Sequence, residues 1–308
     1  MKILFMGTPD FAVPCLDILV SEGFDICGAV TQPDKPKGRG HKLAPTPVKE
    51  YAISKNIPVF QPQTLKDGEF GKILGELDPQ LIAVVAYGKI LPEYILDYPK
   101  FGCVNVHGSL LPKYRGAAPI QWAVINGDRT TGVTTQYMKK GVDTGDIIYT
   151  SETEIAPDET YGELYSRLSK SGAALLLKTV KAIGGGRAPR IEQDDSAATH
   201  APMLTKETGH IDWTKSADEV LNLIRGTDPW PMSYAMYGDE TIKLFCVKKG
   251  GGFDAQPGKI RIADKMLEIA CGSGESVIAA ELQFKGGKRM SVASYLNGHD
   301  IDENIILK

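Results

Sequence analysis

The chain has 308 residues, of which 42% are hydrophobic and 24% charged, and its formal net charge is −3. This length exceeds the ~100–200 residues of a typical domain, so we expect two domains. The mild acidity argues against a protein that coats nucleic acid with a uniformly basic surface. The cysteines lack a C-x-x-C pair, so they predict neither a disulfide framework nor a zinc site and fit a reducing, cytoplasmic setting. They are Cys15, Cys27, Cys103, Cys246 and Cys271.

The first apolar run, residues 3–6, is broken by Gly7, Thr8, Pro9 and Asp10. It is too short for a secretory signal, and no small-residue cleavage site follows, so we predict a first strand. No window approaches the ~18 apolar residues of a membrane span. We therefore expect a soluble protein without a membrane partner.

Predicted strands and helices then alternate. Further apolar runs lie at 26–30, 81–86 and 104–107. Helices are predicted at 10–21 and 48–55, each preceded by a Thr-Pro pair typical of a helix start. This alternation predicts an α/β fold with a doubly wound, mostly parallel sheet, which binds ligands at the carboxyl ends of its strands.

A basic segment, residues 31–42, follows the second predicted strand. Lys35, Lys37, Arg39 and Lys42 alternate there with proline and glycine. Loops in such folds usually have about 2–6 residues, so this length needs a reason. Two interpretations stay open: a solvated flexible loop, or a basic arm that orders on a phosphate backbone.

Asn105 and His107 end the predicted strand at 101–107. Side chains alternate along a strand, so both point to the same face of the sheet. An imidazole exchanges protons near neutral pH, and a carboxamide N–H is a donor of the kind used in oxyanion holes. A packed histidine is the common alternative. The strand end, the neighbouring Asn105 and the following Gly108 favour a catalytic role.

Asp143 lies in the turn Gly-Val-Asp-Thr-Gly, residues 141–145. Asp143 has two possible roles. It either only stabilises the turn, or its carboxylate acts in catalysis by orienting His107 or by taking a proton from an attacking amine. Sequence alone does not show that Asp143 and His107 touch. An amide donor, an imidazole and a carboxylate are together the parts of an acyl-type transferase.

The second half begins with predicted strands at 131–138 and 147–154 and an amphipathic helix at 159–183. A polar, proline-bearing stretch follows, which we interpret as a linker. The remainder has a short helix at 216–225 and short strands at 241–247, 258–262, 267–270 and 276–284, which predict a small β-barrel or open sandwich. The predicted organisation is a first domain at 1–188, a linker at 189–208 and a second domain at 209–308.

Several chemistries are disfavoured. Neither Gly-x-Gly-x-x-Gly nor a P-loop follows an early strand, which argues against NAD and ATP. Ser109 lacks the G-x-S-x-G context of a serine nucleophile. The five histidines are isolated from one another, so we predict no metal.

Seven motifs are spread over essentially the whole chain. They are Gly-Thr-Pro-Asp-Phe at 7–11, the basic segment at 31–42, Ala-Tyr-Gly at 86–88, Asn-x-His-Gly-Ser-Leu-Leu-Pro at 105–112, Arg-Gly-Ala-Ala-Pro-Ile at 115–120, Asp-Thr-Gly at 143–145 and Pro-Trp-Pro at 229–231. In sequence and in order, these motifs resemble those of the folate-dependent formyltransferases, and within that group the methionyl-tRNA formyltransferases.

The resemblance implies a Rossmann-like catalytic domain and an OB-like β-barrel that binds tRNA. It implies 10-formyltetrahydrofolate as the formyl donor and the α-amine of methionyl initiator tRNA as the acceptor. Asn105, His107 and Asp143 would be the catalytic residues. The implied folate-binding residues are Ser109, Leu110, Leu111, Pro112, Tyr87, Gly88, Ile90 and Leu91. The implied tRNA-binding residues are Lys35, Lys37, Arg39 and Lys42, with Arg39 entering the acceptor stem.

Two rivals compete with this interpretation. A relative that formylates a sugar-nucleotide or purine-precursor amine would lack the basic segment and the second domain, and both are present. A binding module without catalysis would depart from the pattern at Asn105, His107 or Asp143, and none departs. Nothing in the sequence demands more than a monomer.

Overall fold

The computed structural model describes residues 1–37 and 42–308, and these form two compact units. Unit 1 comprises residues 1–116, 132–153 and 165–200, and unit 2 comprises residues 117–131, 154–164 and 201–308. No helix in the described ranges is both long enough and apolar enough to cross a membrane.

The strands, in chain order, are β1 (Lys2–Gly7), β2 (Asp25–Val30), β3 (Lys35–Lys37), β4 (Lys42–Ala44), β5 (Val59–Phe60), β6 (Leu81–Val85), β7 (Cys103–His107), β8 (Arg115–Gly116), β9 (Thr130–Tyr137), β10 (Ile147–Glu154), β11 (His200–Ala201), β12 (Tyr234–Tyr237), β13 (Glu240–Gly252), β14 (Ile260–Ala263), β15 (Met266–Ala270), β16 (Glu275–Phe284) and β17 (Met290–Ser291). The α-helices are α1 (Val13–Ser21), α2 (Pro47–Ser54), α3 (Phe70–Leu77), α4 (Glu93–Leu96), α5 (Pro119–Ile125), α6 (Tyr161–Gly184), α7 (Ala217–Gly226) and α8 (Val292–Leu296).

Unit 1 contains a seven-stranded sheet in the order β10-β9-β7-β6-β1-β2-β5. The pairs within β7-β6-β1-β2-β5 are parallel, and β9 runs antiparallel to β7. β6 is buried along its whole length, and so is β1 from Ile3 onward, as expected of parallel strands covered on both faces. The predicted mixed α/β fold with a mostly parallel sheet is thus confirmed.

The first predicted helix begins differently from the expectation. Asp10–Ala12 forms a 3-10 turn, and the α-helix begins at Val13. Pro14 lacks an N–H and cannot donate to the carbonyl one turn earlier, which explains the late start. The second helix begins as predicted: Thr46 Oγ1 accepts from the Lys49 N–H at 3.3 Å and Pro47 is the first helical residue.

Unit 2 is built on an antiparallel sheet in the order β12-β13-β16-β15-β14, with β17 paired to β16. Its apolar core includes Leu244, Ile269 and Val277 on the sheet and Val220 on α7. Ser216 caps α7 reciprocally with Glu219, in the capping-box arrangement. The sequence predicts a small β-barrel or open sandwich in this part of the chain, and the structure shows a domain built on an antiparallel sheet.

Candidate active site

Asn105 and His107 lie at the carboxyl end of β7, where the parallel strands of unit 1 end. In the antiparallel register Asn105 is opposite Gln136 and His107 is opposite Thr134 of β9. Residues directly opposite on paired strands share a face of the sheet. The structure therefore places four polar side chains on one face, two of which the sequence motifs singled out.

The His107 ring is buried, and both of its nitrogens face protein acceptors. Nε2 is 2.8 Å from the Tyr114 carbonyl oxygen, which can only accept, so Nε2 carries a hydrogen. Nδ1 is 3.6 Å from Asp143 Oδ2. A neutral ring can donate to only one of these acceptors, whereas a protonated ring can donate to both. The separation at Nδ1 exceeds hydrogen-bond length, so this nitrogen is not firmly held.

The Asp143 carboxylate is surrounded by donors. Oδ1 accepts from Gln136 Nε2 at 2.9 Å and from Asn105 Nδ2 at 3.4 Å. Oδ2 accepts from the Gly116 N–H at 2.9 Å and faces His107. Asn105, His107 and Asp143 are thus brought together, although Asp143 is remote from the other two in sequence.

The turn that carries Asp143 combines a left-handed backbone at Asp143 with a close backbone approach at Gly145. Asp143 adopts φ +53°, in the left-handed region that aspartate tolerates better than most residues. At Gly145 a Cβ would lie 1.5 Å from the Tyr137 carbonyl oxygen, so only glycine fits. The turn therefore packs closely against the end of β9, and the Asp143 side chain contacts Asn105 of β7.

Two glutamines that the sequence motifs did not identify complete the cluster. Gln136 donates to the Asp143 carboxylate and accepts from the Gly145 N–H at 3.2 Å. Gln193 Nε2 donates to the carbonyl oxygens of Asp143 at 2.8 Å and Gly145 at 2.7 Å. Period-two alternation from the predicted strand could have placed Gln136 on an inward face. Nothing local could have found Gln193, because it lies in the predicted linker.

The loop after β7 carries four of the predicted folate-binding residues. Ser109 is fully buried, and its hydroxyl donates to the Lys113 carbonyl at 2.6 Å. Thr134 Oγ1 donates to the Ser109 carbonyl and accepts from the Leu111 N–H. Leu111 is buried, while Leu110 and Pro112 are half-buried. The loop is therefore fixed internally, next to His107.

The other predicted folate-binding residues follow β6. The Tyr87 ring is buried in the core, but its carbonyl accepts from Thr8 Oγ1 and Gln32 Nε2. Gly88 has φ +82°, and a Cβ there would lie 2.4 Å from Gln32 Nε2. Leu91 is buried, whereas Ile90 is 75% exposed. This segment thus presents backbone and one apolar side chain at the same edge of the sheet.

Of the predicted tRNA-binding residues, only Lys35 has a described side chain. It is exposed, and its Nζ donates to Gln32 Oε1 at 3.0 Å. Arg39 lies outside the described residues, and for Lys37 and Lys42 only the backbone is described. A cavity of about 200 Å³ adjoins Lys35, with a wall that includes Pro33, Pro36 and Pro45.

Among the described side chains, no group of three or more histidine, cysteine, aspartate or glutamate residues is placed to hold a metal ion. The five cysteines are unpaired thiols, and burial raises the pKa of Cys15 and Cys103 to about 12. These buried thiols are poor nucleophiles at neutral pH.

The doubly wound sheet, with an amide, an imidazole and a carboxylate gathered at the carboxyl end of its strands, defines an α/β enzyme of the acyl-transfer type. Comparison with known families identifies the enzyme family to which the chain belongs. The family model described as formyl transferase matches residues 1–180, and the formyl transferase C-terminal domain matches residues 203–300. The chain therefore belongs to the formyl transferase family.

Relatives and solved structures agree with this family. The chain is 49% identical over 310 residues to a methionyl-tRNA formyltransferase of Acetivibrio thermocellus, covering 100% of this chain and 99% of the relative. It is 50% identical over 312 residues to the enzyme of the same name from Alkaliphilus oremlandii, with the same two coverages. Among solved structures, the sugar 3N-formyl transferase WlaRD, crystallised with dTDP and 5-N-formyl-THF, matches with a TM-score of 0.69 at 19% identity. That match covers 94% of this chain and 99% of the other, and it supports the fold.

Proposed function

We propose that the chain transfers a formyl group from 10-formyltetrahydrofolate to the α-amine of methionyl initiator tRNA, giving N-formylmethionyl-tRNA for translation initiation. The observation that carries the proposal is the convergence of Asn105, His107 and Asp143 at the carboxyl edge of the sheet. The names and full-length similarity of the relatives support the choice of acceptor. The family and this geometry together favour formyl transfer over a binding module without catalysis.

The proposed reaction begins with attack of the free amine on the formyl carbon, which gives a tetrahedral intermediate. Asn105 donates to its oxygen, as does protonated His107 through Nδ1, the ring nitrogen that no hydrogen bond fixes. Asp143 orients His107 and helps to remove the amine proton. Collapse restores the carbonyl and breaks the bond between the formyl carbon and N10, which takes up the proton that the amine has lost, so that tetrahydrofolate leaves as a neutral amine. No covalent enzyme intermediate is required, because the nucleophile is the substrate amine.

We propose that the folate binds beside the loop of residues 109–112 and the segment of residues 87–91. The exposed Ile90 offers an apolar contact to a ring system, and the exposed backbone at Gly88 offers hydrogen-bond partners. Burial of Ser109 and Tyr87 means that they would shape this pocket more than contact the ligand through their polar atoms.

We assign tRNA binding to the basic segment and to residues 209–308, with residues 1–188 carrying catalysis and residues 189–208 linking the two domains. A cytoplasmic monomer is the form that we expect to act.

Replacing Arg39 by alanine should raise the KM for tRNA several-fold and leave the KM for folate unchanged, since arginine contacts to phosphate act on RNA binding alone. If the variant instead lost folate binding and kept its tRNA binding unchanged, that result would contradict this assignment.

A direct test supplies 10-formyltetrahydrofolate labelled in the formyl group. The chain is mixed in separate reactions with methionyl initiator tRNA, methionyl elongator tRNA and an amino-sugar nucleotide. We expect label on the methionine of the initiator tRNA and little on the other acceptors. Label on the amino sugar alone, or on no acceptor, would overturn the proposed function.

A further inference from the structure

Gln193 lies in a stretch whose sequence resembles a linker, yet its side chain is only 8% exposed. Ile191 pairs with Ile147 through two backbone hydrogen bonds of 2.8 and 3.0 Å, which brings the chain alongside the start of β10. Arg190 lies over the Tyr137 ring, with its guanidinium carbon 3.7 Å from the ring centroid. The segment is thereby held against the edge of the sheet that carries the Asp143 turn.

The orientation of the Gln193 amide is determined by its neighbours. Oε1 accepts from Arg115 Nε at 3.1 Å and from Nη2 at 2.8 Å. Arginine can only donate, so Oε1 must face it and Nε2 must point the other way. Nε2 meets three acceptors there: the carbonyls of Asp143 and Gly145, and Gln136 Oε1 at 3.3 Å.

Arg115, Gln193, Gln136 and the Asp143 carboxylate are therefore linked by successive hydrogen bonds, with Arg115 as the first donor and the carboxylate as the last acceptor. Arg115 is itself buried, and Asp195 accepts from its Nη2 at 2.7 Å. Gln193 acts on the backbone of the turn, where Asp143 holds its left-handed φ, and Gln136 acts on the side chain. Such a conformation persists only when its surroundings enforce it.

We propose that Gln193 is a positioning residue for formyl transfer: it clamps the backbone on both sides of Thr144, so that the Asp143 carboxylate faces Asn105 and His107. This inference rests on the proposed function. Gln193 does not touch the reacting atoms in this account. Its effect is on the placement of Asp143, and the charge of Arg115 strengthens it by holding the amide in one orientation.

The test compares three single variants of the full chain. Gln193→Ala removes the whole amide. Gln193→Glu keeps an acceptor for Arg115, and so keeps the segment anchored, but it replaces the Nε2 donor by an oxygen that faces two carbonyls. Gln80→Ala is the matched control: Gln80 Oε1 accepts from the Lys2 backbone N–H at 3.0 Å, at the amino ends of the neighbouring strands β1 and β6.

We expect both Gln193 variants to lower kcat by about 10- to 100-fold, as misplacement of a catalytic group does, with the KM for folate unchanged. Amide hydrogen exchange at Gly145 and Gly116 should accelerate, and the ¹⁵N resonances of the His107 ring, recorded at one fixed pH, should shift. Gln80→Ala should leave all of these at wild-type values. A purely structural role would instead lower the folded fraction and leave kcat per folded molecule unchanged.

Wild-type kcat in Gln193→Glu, or unchanged exchange at Gly145 in both Gln193 variants, would overturn the inference. If Gln193→Ala fails to fold, Gln193→Glu still decides the question. Wild-type protein that transfers no formyl group would refute the proposed function instead. The exchange rates and the histidine resonances would still report whether Gln193 holds the turn.

Discussion

Replacing Asp143 by asparagine should abolish most of the catalysis while keeping the fold. The wild-type carboxylate accepts from Gln136, Asn105 and the Gly116 N–H, and it also faces His107 Nδ1. An asparagine amide has one acceptor oxygen. Whichever way it turns, its NH₂ group faces donors on one side, and it has no negative charge to orient His107.

These contacts set the expected loss of kcat. Loss of a transition-state donor or of the carboxylate that orients a histidine lowers kcat by about 10²- to 10⁴-fold. At about 1.36 kcal/mol per tenfold change, this is about 2.7–5.4 kcal/mol of transition-state stabilisation. Leaving donors without an acceptor should lower the free energy of unfolding by only about 1–3 kcal/mol, so the variant should stay folded.

The assay is single-turnover formyl transfer with saturating folate and charged initiator tRNA. Asp17→Asn is the matched control, because Asp17 lies on α1 and its exposed carboxylate accepts from the Tyr51 hydroxyl instead of from a group of the site. We expect wild-type turnover from Asp17→Asn. An Asp143→Asn rate within about threefold of the wild-type rate would show that the carboxylate is not needed for catalysis, since a loss of at least about 100-fold is expected.

Three further predictions concern other parts of the chain. Asn105→Ala should lower kcat by about 10²- to 10³-fold in the same assay, because it removes an oxyanion donor; undiminished turnover would remove Asn105 from the mechanism. Gly145→Ala should lower both kcat and Tm, because the new Cβ would lie 1.5 Å from the Tyr137 carbonyl, and a normal Tm would show that the turn can move away without penalty. In unit 2, the Arg261 hydrogen bond holds the pKa of Glu268 below its usual value, with Ser276 assisting. The folded pKa therefore lies below the unfolded one, so this stabilisation is present above the ordinary glutamate pKa of about 4.3 and is lost as pH falls through the folded value. Glu268→Gln should destabilise the chain at pH 7 in denaturant titrations and flatten the loss of stability below about pH 4.3; an unchanged pH dependence would contradict the assignment.

Much of unit 1 could be predicted from the sequence because its strands are fully buried. A parallel strand covered on both faces must be a nearly continuous apolar run, and residues 81–85 form such a run. The pairing of Asn105 with His107 on one face follows from strand geometry alone. These features are encoded locally, within a few residues.

The rest of the site depends on contacts between segments that are distant in sequence. The position of Asp143 follows from the antiparallel register of β9 on β7 and from the close approach of Gly145 to Tyr137, neither of which leaves a local pattern. Gln193 is a single buried amide within a polar stretch, so neither periodicity nor composition distinguishes it from an exposed residue. The membership of residues 117–131 in unit 2 is also a matter of packing, where Gly226 of α7 meets Ile125 of α5.

In the proposed mechanism, Asn105, His107 and Asp143 surround the formyl carbon. A crystal of the chain soaked with a formyl-tetrahydrofolate analogue that does not react would show whether they do. We expect the formyl oxygen within hydrogen-bond distance of Asn105 Nδ2, with the folate ring against residues 87–91. A well-ordered analogue whose formyl group lies away from Asn105, with the imidazole of His107 still enclosed by Tyr114 and Asp143, would contradict it.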